Sequence, residues 1–224
     1  MALTLIIGNK NYSSWSFRPW IAMKVAGIAF DEVVISLDAA DFKTRVSKIS
    51  GTGKVPALDD NGIHVWESLA ILEYLAEKFP AAKLWPSDAA ARAHARAISS
   101  EMHAGFIPLR RAAPMNMWRP VKRLELNADT AANVARIDAM WTDCRSRFGA
   151  GGPFLFGGFT AADAMYAPVV SRFHTYGIPV SDGTRGYMAA MMALPAWGEW
   201  LSAALKEPWV LAEDEIDWPT VLRV

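Results

Sequence analysis

Apolar positions in the first third of the chain alternate between short unbroken runs and helical spacings. Leu3-Thr4-Leu5-Ile6-Ile7 is a near-continuous run ending at Gly8, as expected of a buried strand. Phe17, Trp20, Ile21, Val25 and Ile28 then recur at helical spacing, with Gly27 as a stop. Val33-Val34-Ile35 predicts a second strand, and a less regular stretch with a helix over residues 42–49 follows. Val55-Pro56-Ala57-Leu58 leads through the turn Asp59-Asp60-Asn61-Gly62 into Ile63-His64-Val65-Trp66, which reads as a hairpin. Leu69, Leu72, Leu75 and Phe79 close the unit as an amphipathic helix. The predicted order is β-α-β-α-β-β-α.

Past Pro80 the period changes. Lys83-Leu84-Trp85-Pro86-Ser87 reads as a linker, and everything after it is helical in pattern. Ile98, Met102, Phe106 and Leu109 share one face of a helix that Pro108 should kink. Val134, Ile137, Trp141, Cys144 and Phe148 form a buried stripe. Thr160 and Asp163 have capping-box spacing and open a helix running to about Phe173. A last helix is predicted over residues 195–205. Two units follow, residues 1–82 and 88–224.

Composition narrows the classes of function. Lys plus Arg and Asp plus Glu number 23 each, so no global field recruits nucleic acid. No apolar run approaches the roughly 20 residues of a membrane span, and the first strand is too short for a signal-peptide core. The single cysteine, Cys144, imposes no oxidising compartment and lies on the apolar stripe, where it reads as a small hydrophobe. His64, His94, His103 and His174 lack metal-ligand spacing, so no metal is expected. A cytoplasmic enzyme is the expectation.

The segment Asn11-Tyr12-Ser13-Ser14-Trp15-Ser16-Phe17-Arg18 stands where the first strand meets the first helix. Ser13 and Ser16 have the spacing of a Cys-x-x-Cys redox pair with hydroxyls in place of thiols, which excludes disulfide exchange by this loop. A hydroxyl there can still donate to a thiolate at a helix N-terminus; the plainer reading is that these serines only cap the helix.

The order of elements, Val55-Pro56-Ala57-Leu58, the Glu67-Ser68 pair nine residues after Leu58, and the capping box before Asp163 together resemble the cytosolic glutathione transferase superfamily. The serine loop is similar to the Ser-Ser-Cys-Ser stretch of its zeta class, with Trp15 in place of that class's cysteine. The resemblance covers nearly the whole chain. It implies a thioredoxin-like α/β domain followed by an all-α domain, glutathione as co-substrate, and a homodimer to which Trp66 and residues 94–111 contribute.

It further implies that Ser13, with Ser14 as the alternative, stabilises the glutathione thiolate. Pro56 is expected to be cis, turning the Val55 backbone toward the cysteinyl moiety. Ser68 is expected at the γ-glutamyl carboxylate and Glu67 at the ammonium. Lys54 or Lys43 would meet the glycyl carboxylate, a solvated surface lysine being the alternative for each. Met102, Phe106, Arg110, Met115 and Trp118 are candidates to line a pocket for a small hydrophobic electrophile, or else core residues. A zeta-like isomerase of maleyl-type dicarboxylates would draw on Arg18 and Arg172; a non-catalytic hydrophobic-ligand binder is the remaining alternative.

Overall fold

The computed structural model describes residues 3–216. The expected units extend over residues 1–2 and 217–224 as well, which lie outside the described residues. A four-stranded sheet has the order β2-β1-β3-β4, built from β1 (Leu3–Ile7), β2 (Phe30–Val34), β3 (Ala57–Asp60) and β4 (Ile63–Trp66). β1 pairs parallel to β2 and antiparallel to β3, and β3 and β4 form the predicted hairpin. Its turn residues, Asn61 and Gly62, both take positive φ, the requirement for a tight two-residue connection.

The near-continuous apolar run of β1 follows from its place between β2 and β3. Leu3, Leu5 and Ile7 face the main core, while Ile6 joins Ile35, Val46 and Ala57 in a small cluster on the other face. That second cluster is closed by α2 (Phe42–Val46), shorter than the helix expected over residues 42–49. The main face carries α1 (Ser14–Val25) and α3 (Ser68–Lys78). Gly27, at φ +66°, turns the chain after α1.

The helical part contributes α4 (Ala89–Ala104), α5 (Ile107–Ala112), α6 (Ala128–Phe148), α7 (Ala161–Thr175), α8 (Asp182–Met192) and α9 (Pro195–Ala204). Thioredoxin-like sheet and helical bundle share one core because α1 packs against α7 and α9 as well as α3. Val134, Ile137, Trp141 and Cys144 are buried along α6 as predicted, with Phe148 partly buried at its end. Burial pushes the Cys144 thiol up to about 12, which leaves it a hydrophobe. The capping box at α7 is complete: Asp163 accepts from Thr160 N and Oγ1, both at 2.8 Å.

Two helical expectations change. The helix expected to kink at Pro108 instead breaks earlier, at Gly105 and Phe106. Gly105 is extended and Phe106 left-handed at φ +57°, so Pro108 sits in the first turn of α5, where no N–H is required of it. Helix α8 was not foreseen, because Gly183 and Gly186 dilute its apolar periodicity to Tyr187, Met188 and Met191.

Candidate active site

Two adjoining cavities lie along the C-terminal edge of β1, between the sheet domain and the helices. The first, about 230 Å³, is lined by Thr52, Lys54, Val55, Pro56, Glu67 and Ser68 from the sheet side and by Trp15, His103 and Arg110. The second, about 310 Å³, is lined by Tyr12, Ser13, Ser14, Leu37, Phe42, Pro114, Met115, Arg172 and Asp214. Trp15, Lys54, Val55 and Arg110 border both.

The loop of residues 8–13 delivers the serines. Asn9, Lys10, Asn11 and Ser13 are buried although polar, so each polar group needs a partner. Asn9 Oδ1 accepts from Leu37 N at 2.7 Å, and Asn11 Oδ1 accepts from Trp118 N at 2.9 Å. Lys10 Nζ pairs with Glu32 at 2.6 Å. Ser13 occupies the cap position of α1, but its Oγ donates sideways to Ser16 Oγ at 2.7 Å, and Ser16 Oγ also accepts from Gly8 N at 3.1 Å. Ser16 thereby ties the end of β1 to the first turn of α1. The Ser14 hydroxyl has no hydrogen-bond partner among the described residues. No acidic side chain occupies the first turn of α1, so the positive end of its dipole is uncompensated.

The Val55–Pro56 peptide bond is cis, and β3 begins immediately after it. Glu67 precedes α3 at φ +70° and ψ 124°, a conformation costly for a residue with a Cβ, of order 1–3 kcal/mol. Glu67 and Ser68, at the amino end of α3, both line the first cavity. Ser68 is buried, its hydroxyl reaching only the thioether of Met165 at 3.9 Å. The Glu67 carboxylate lies 3.6 Å from His103 Nε2 of α4.

Two guanidinium groups approach the indole of Trp15, Arg18 at 3.8 Å and Arg110 at 4.7 Å from the ring centroid, and the His103 ring meets it in an edge contact. Arg18 is buried; its Nε donates to Met165 O at 2.9 Å, and its Nη1 has no partner among the described residues. Arg172 is buried with Nε donating to Ala113 O at 2.8 Å. No ion pair serves Arg18, Arg110 or Arg172 among the described residues. Burial, then the neighbouring Arg172 and Arg110 charges, hold Arg18 well below the usual arginine range; Arg172 is lowered to about 10, again chiefly by burial. Asp214 is the carboxylate on this cavity, raised to about 6 by burial first and by Glu213 and Glu215 after it.

Of the residues singled out from the sequence, Ser13, Ser14, Val55, Pro56, Glu67, Ser68 and Lys54 line this cleft. Lys43 does not: it is exposed on α2, outside the lining of both cavities. Arg110, Met115 and Arg172 border the second cavity, whereas Met102, Phe106 and Trp118 are core residues and Arg18 lies behind Trp15. Trp118 packs edge-on against Tyr12 and donates its indole N–H to Ala204 O. Tyr12 and Asp214 were not foreseen as site residues, the latter because it arrives from the far end of the chain. Among the described residues no group of His, Cys, Asp and Glu is arranged to hold a metal, and no helix is long and apolar enough to cross a membrane.

The profile of the glutathione S-transferase N-terminal domain matches residues 12–78, and that of the C-terminal domain matches residues 127–203. The chain belongs to the glutathione S-transferase superfamily. Among similar proteins, a probable maleylacetoacetate isomerase of Caenorhabditis elegans is 38% identical over 97 residues, 43% of this chain and 45% of that protein. The maleylacetoacetate isomerase of Rattus norvegicus is 39% identical over 43% of this chain and 46% of its own length. The chain thus spans about half the length of these curated relatives. A glutathione transferase homolog from Burkholderia gl BGR1, solved with bound glutathione, superposes with a TM-score of 0.71 at 23% identity, over 91% of this chain and 98% of that one. The fold expected from the sequence, a thioredoxin-like domain joined to an all-helical one, is therefore the fold of this superfamily.

Proposed function

We propose that this chain is a glutathione transferase that lowers the pKa of the glutathione thiol at the mouth of α1 and presents the thiolate to an electrophile in the second cavity. One observation carries the reading: the Val55 backbone before cis-Pro56, the strained Glu67-Ser68 entry to α3, and the Ser13-Ser14 entry to α1 open on a single cleft. The γ-glutamyl carboxylate suits the amino end of α3 and Ser68, the ammonium suits Glu67, the cysteinyl backbone suits Val55, and Lys54 suits the glycyl carboxylate. Ser14 has its proton free where Ser13 has committed its own to Ser16, which favours Ser14 as donor to the sulfur unless Ser13 turns. The division at residues 82 and 88, a cytoplasmic location and a homodimer involving exposed Trp66 belong to the same reading. Retention on immobilised glutathione, followed by a thiol-conjugation assay with a small aromatic halide, tests it; the absence of both retention and conjugation would refute it.

A second reading has its own support. Lys54, Arg110 and Arg172 give the second cavity a cationic wall, faced by one carboxylate that protonates near pH 6. Such a wall suits an electrophile bearing carboxylates, and two similar proteins carry the name maleylacetoacetate isomerase. In that chemistry the thiolate adds to one carbon of a cis double bond, the resulting single bond rotates, and expulsion of the thiolate restores the double bond as trans. Glutathione is regenerated, so the absorbance of the alkene changes with no net thiol loss. Conjugation of neutral halides without any turnover of a maleyl-type diacid would leave transfer as the function.

A further inference from the structure

We infer that Glu207 is a positioning residue for the thiolate-stabilising loop, acting across the whole length of the chain. This rests on the reading that Ser13 and Ser14 face the glutathione sulfur.

The two oxygens of the Glu207 carboxylate each take one backbone N–H of the loop: Lys10 N at 2.6 Å and Asn11 N at 2.9 Å. These donors lie immediately before the turn that presents Ser13 and Ser14, in which Ser13 N bonds Asn9 O at 2.8 Å and Ser14 N bonds Tyr12 O at 2.8 Å. The loop has no strand or helix of its own to satisfy these N–H groups, so a carboxylate from outside performs that role. Glu207 is brought there by α9, whose Trp200 stacks on Phe17 of α1 at 4.7 Å and meets Trp20 edge-on at 5.0 Å. Just beyond, Glu207 N bonds Ala204 O at 3.2 Å, so the residue leaves α9 in a defined direction. The charged groups around it are Lys10 and Glu32, which pair with each other at 2.6 Å. A second tie from the same segment runs in parallel, with Tyr12 Oη donating to Glu215 at 2.6 Å.

A carboxylate bridging two consecutive N–H groups fixes peptide-plane orientation more tightly than apolar packing does, because both bonds are directional and charge-assisted. Without it the loop must reorient to find other acceptors for its N–H groups, and the serines move with it. The hydroxyls and the α1 terminus then meet the sulfur less well, while Val55, Glu67 and Ser68, on separate elements, keep their hold on the peptide. Glu207→Ala is therefore expected to weaken thiolate stabilisation more than glutathione binding.

The test is an ultraviolet titration of the thiolate of glutathione bound to the full chain, wild type against Glu207→Ala, Glu207→Gln and Glu207→Asp. The expected result is a thiol pKa raised by about one unit in the Ala variant, roughly ten-fold less thiolate below that pKa. The glutathione dissociation constant should change by less than about three-fold, and conjugation should recover at high pH. Glu207→Gln, which keeps the shape and one acceptor oxygen, should fall between, and Glu207→Asp should restore part of the loss. If Glu207→Ala does not fold, the Gln variant decides by the same titration. Variants that melt earlier yet titrate as wild type would reduce Glu207 to a purely structural tie and overturn the inference. A wild-type protein that leaves the glutathione thiol unshifted would instead refute the proposed function itself.

Discussion

Replacing Asp163 by alanine should destabilise the whole chain by about 3–5 kcal/mol, although the residue lies away from the cleft. Its carboxylate is fully buried and accepts three hydrogen bonds, from Leu155 N at 3.0 Å and from Thr160 N and Oγ1 at 2.8 Å. Truncation leaves two buried N–H groups without acceptors, at about 1–3 kcal/mol each, and removes the cap of α7, at roughly 0.5–2 kcal/mol. Helix α7 runs through the core against α1 and α4, so the loss is not confined to a surface end. Thermal unfolding followed by circular dichroism is the assay, with an expected fall of roughly 6–20 °C at 2–4 °C per kcal/mol.

The pH dependence adds a second readout. Burial raises the Asp163 carboxyl to about 6 in the folded chain, so the folded state holds a proton that the unfolded state has released. Stability from this group is complete below about pH 4 and is lost as pH rises to about 6, on the order of 2–3 kcal/mol in total. Asp163→Asn should abolish that slope. A fall of less than about 3 °C in the alanine variant, or an unchanged slope in the asparagine variant, would refute the reasoning.

Ser68→Ala should weaken glutathione binding by roughly ten- to hundred-fold in calorimetry, as expected for loss of a donor to a charged carboxylate worth about 1.5–3 kcal/mol; unchanged affinity in a folded variant would move that carboxylate elsewhere. Asp60 is held below the usual carboxylate range by hydrogen bonds from Lys78, first, and from Tyr74. Its contribution is present above the ordinary carboxylate pKa and lost as pH falls through the depressed one, so Asp60→Asn should flatten the acid limb of the stability profile, and an unaltered limb would count against the triad. Ser14→Ala should raise the pKa of bound glutathione more than Ser13→Ala does, with partial rescue at high pH; the reverse order would mean that Ser13 turns from Ser16 on binding.

Features set by neighbouring residues were readable in the sequence. The hairpin at Asn61-Gly62, the α6 stripe and the Thr160–Asp163 box each depend on contacts within a few positions, and each formed as expected. Phe106 shows the limit of periodicity: its spacing matched the helix face, yet Gly105 let the backbone leave the helix, and Phe106 buries its ring from a left-handed residue. Lys43 and Lys54 looked alike as sequence, and only the fold puts one on the cleft and the other on the open face of α2. Glu207 and Glu215 could not be assigned in advance, because their partners, the backbone N–H groups of Lys10 and Asn11 and the Tyr12 hydroxyl, lie near the opposite end of the chain and no local pattern marks a carboxylate that will meet them; Asp214 likewise reaches the second cavity only through the fold.

The central claim is that the cleft binds glutathione and ionises its thiol. Titrating the thiolate absorbance of glutathione on the wild-type chain tests it most directly. The account predicts a bound thiol pKa shifted from about 8.5 down toward neutrality. Glutathione that fails to bind, or that binds and titrates as it does free in solution, would contradict it.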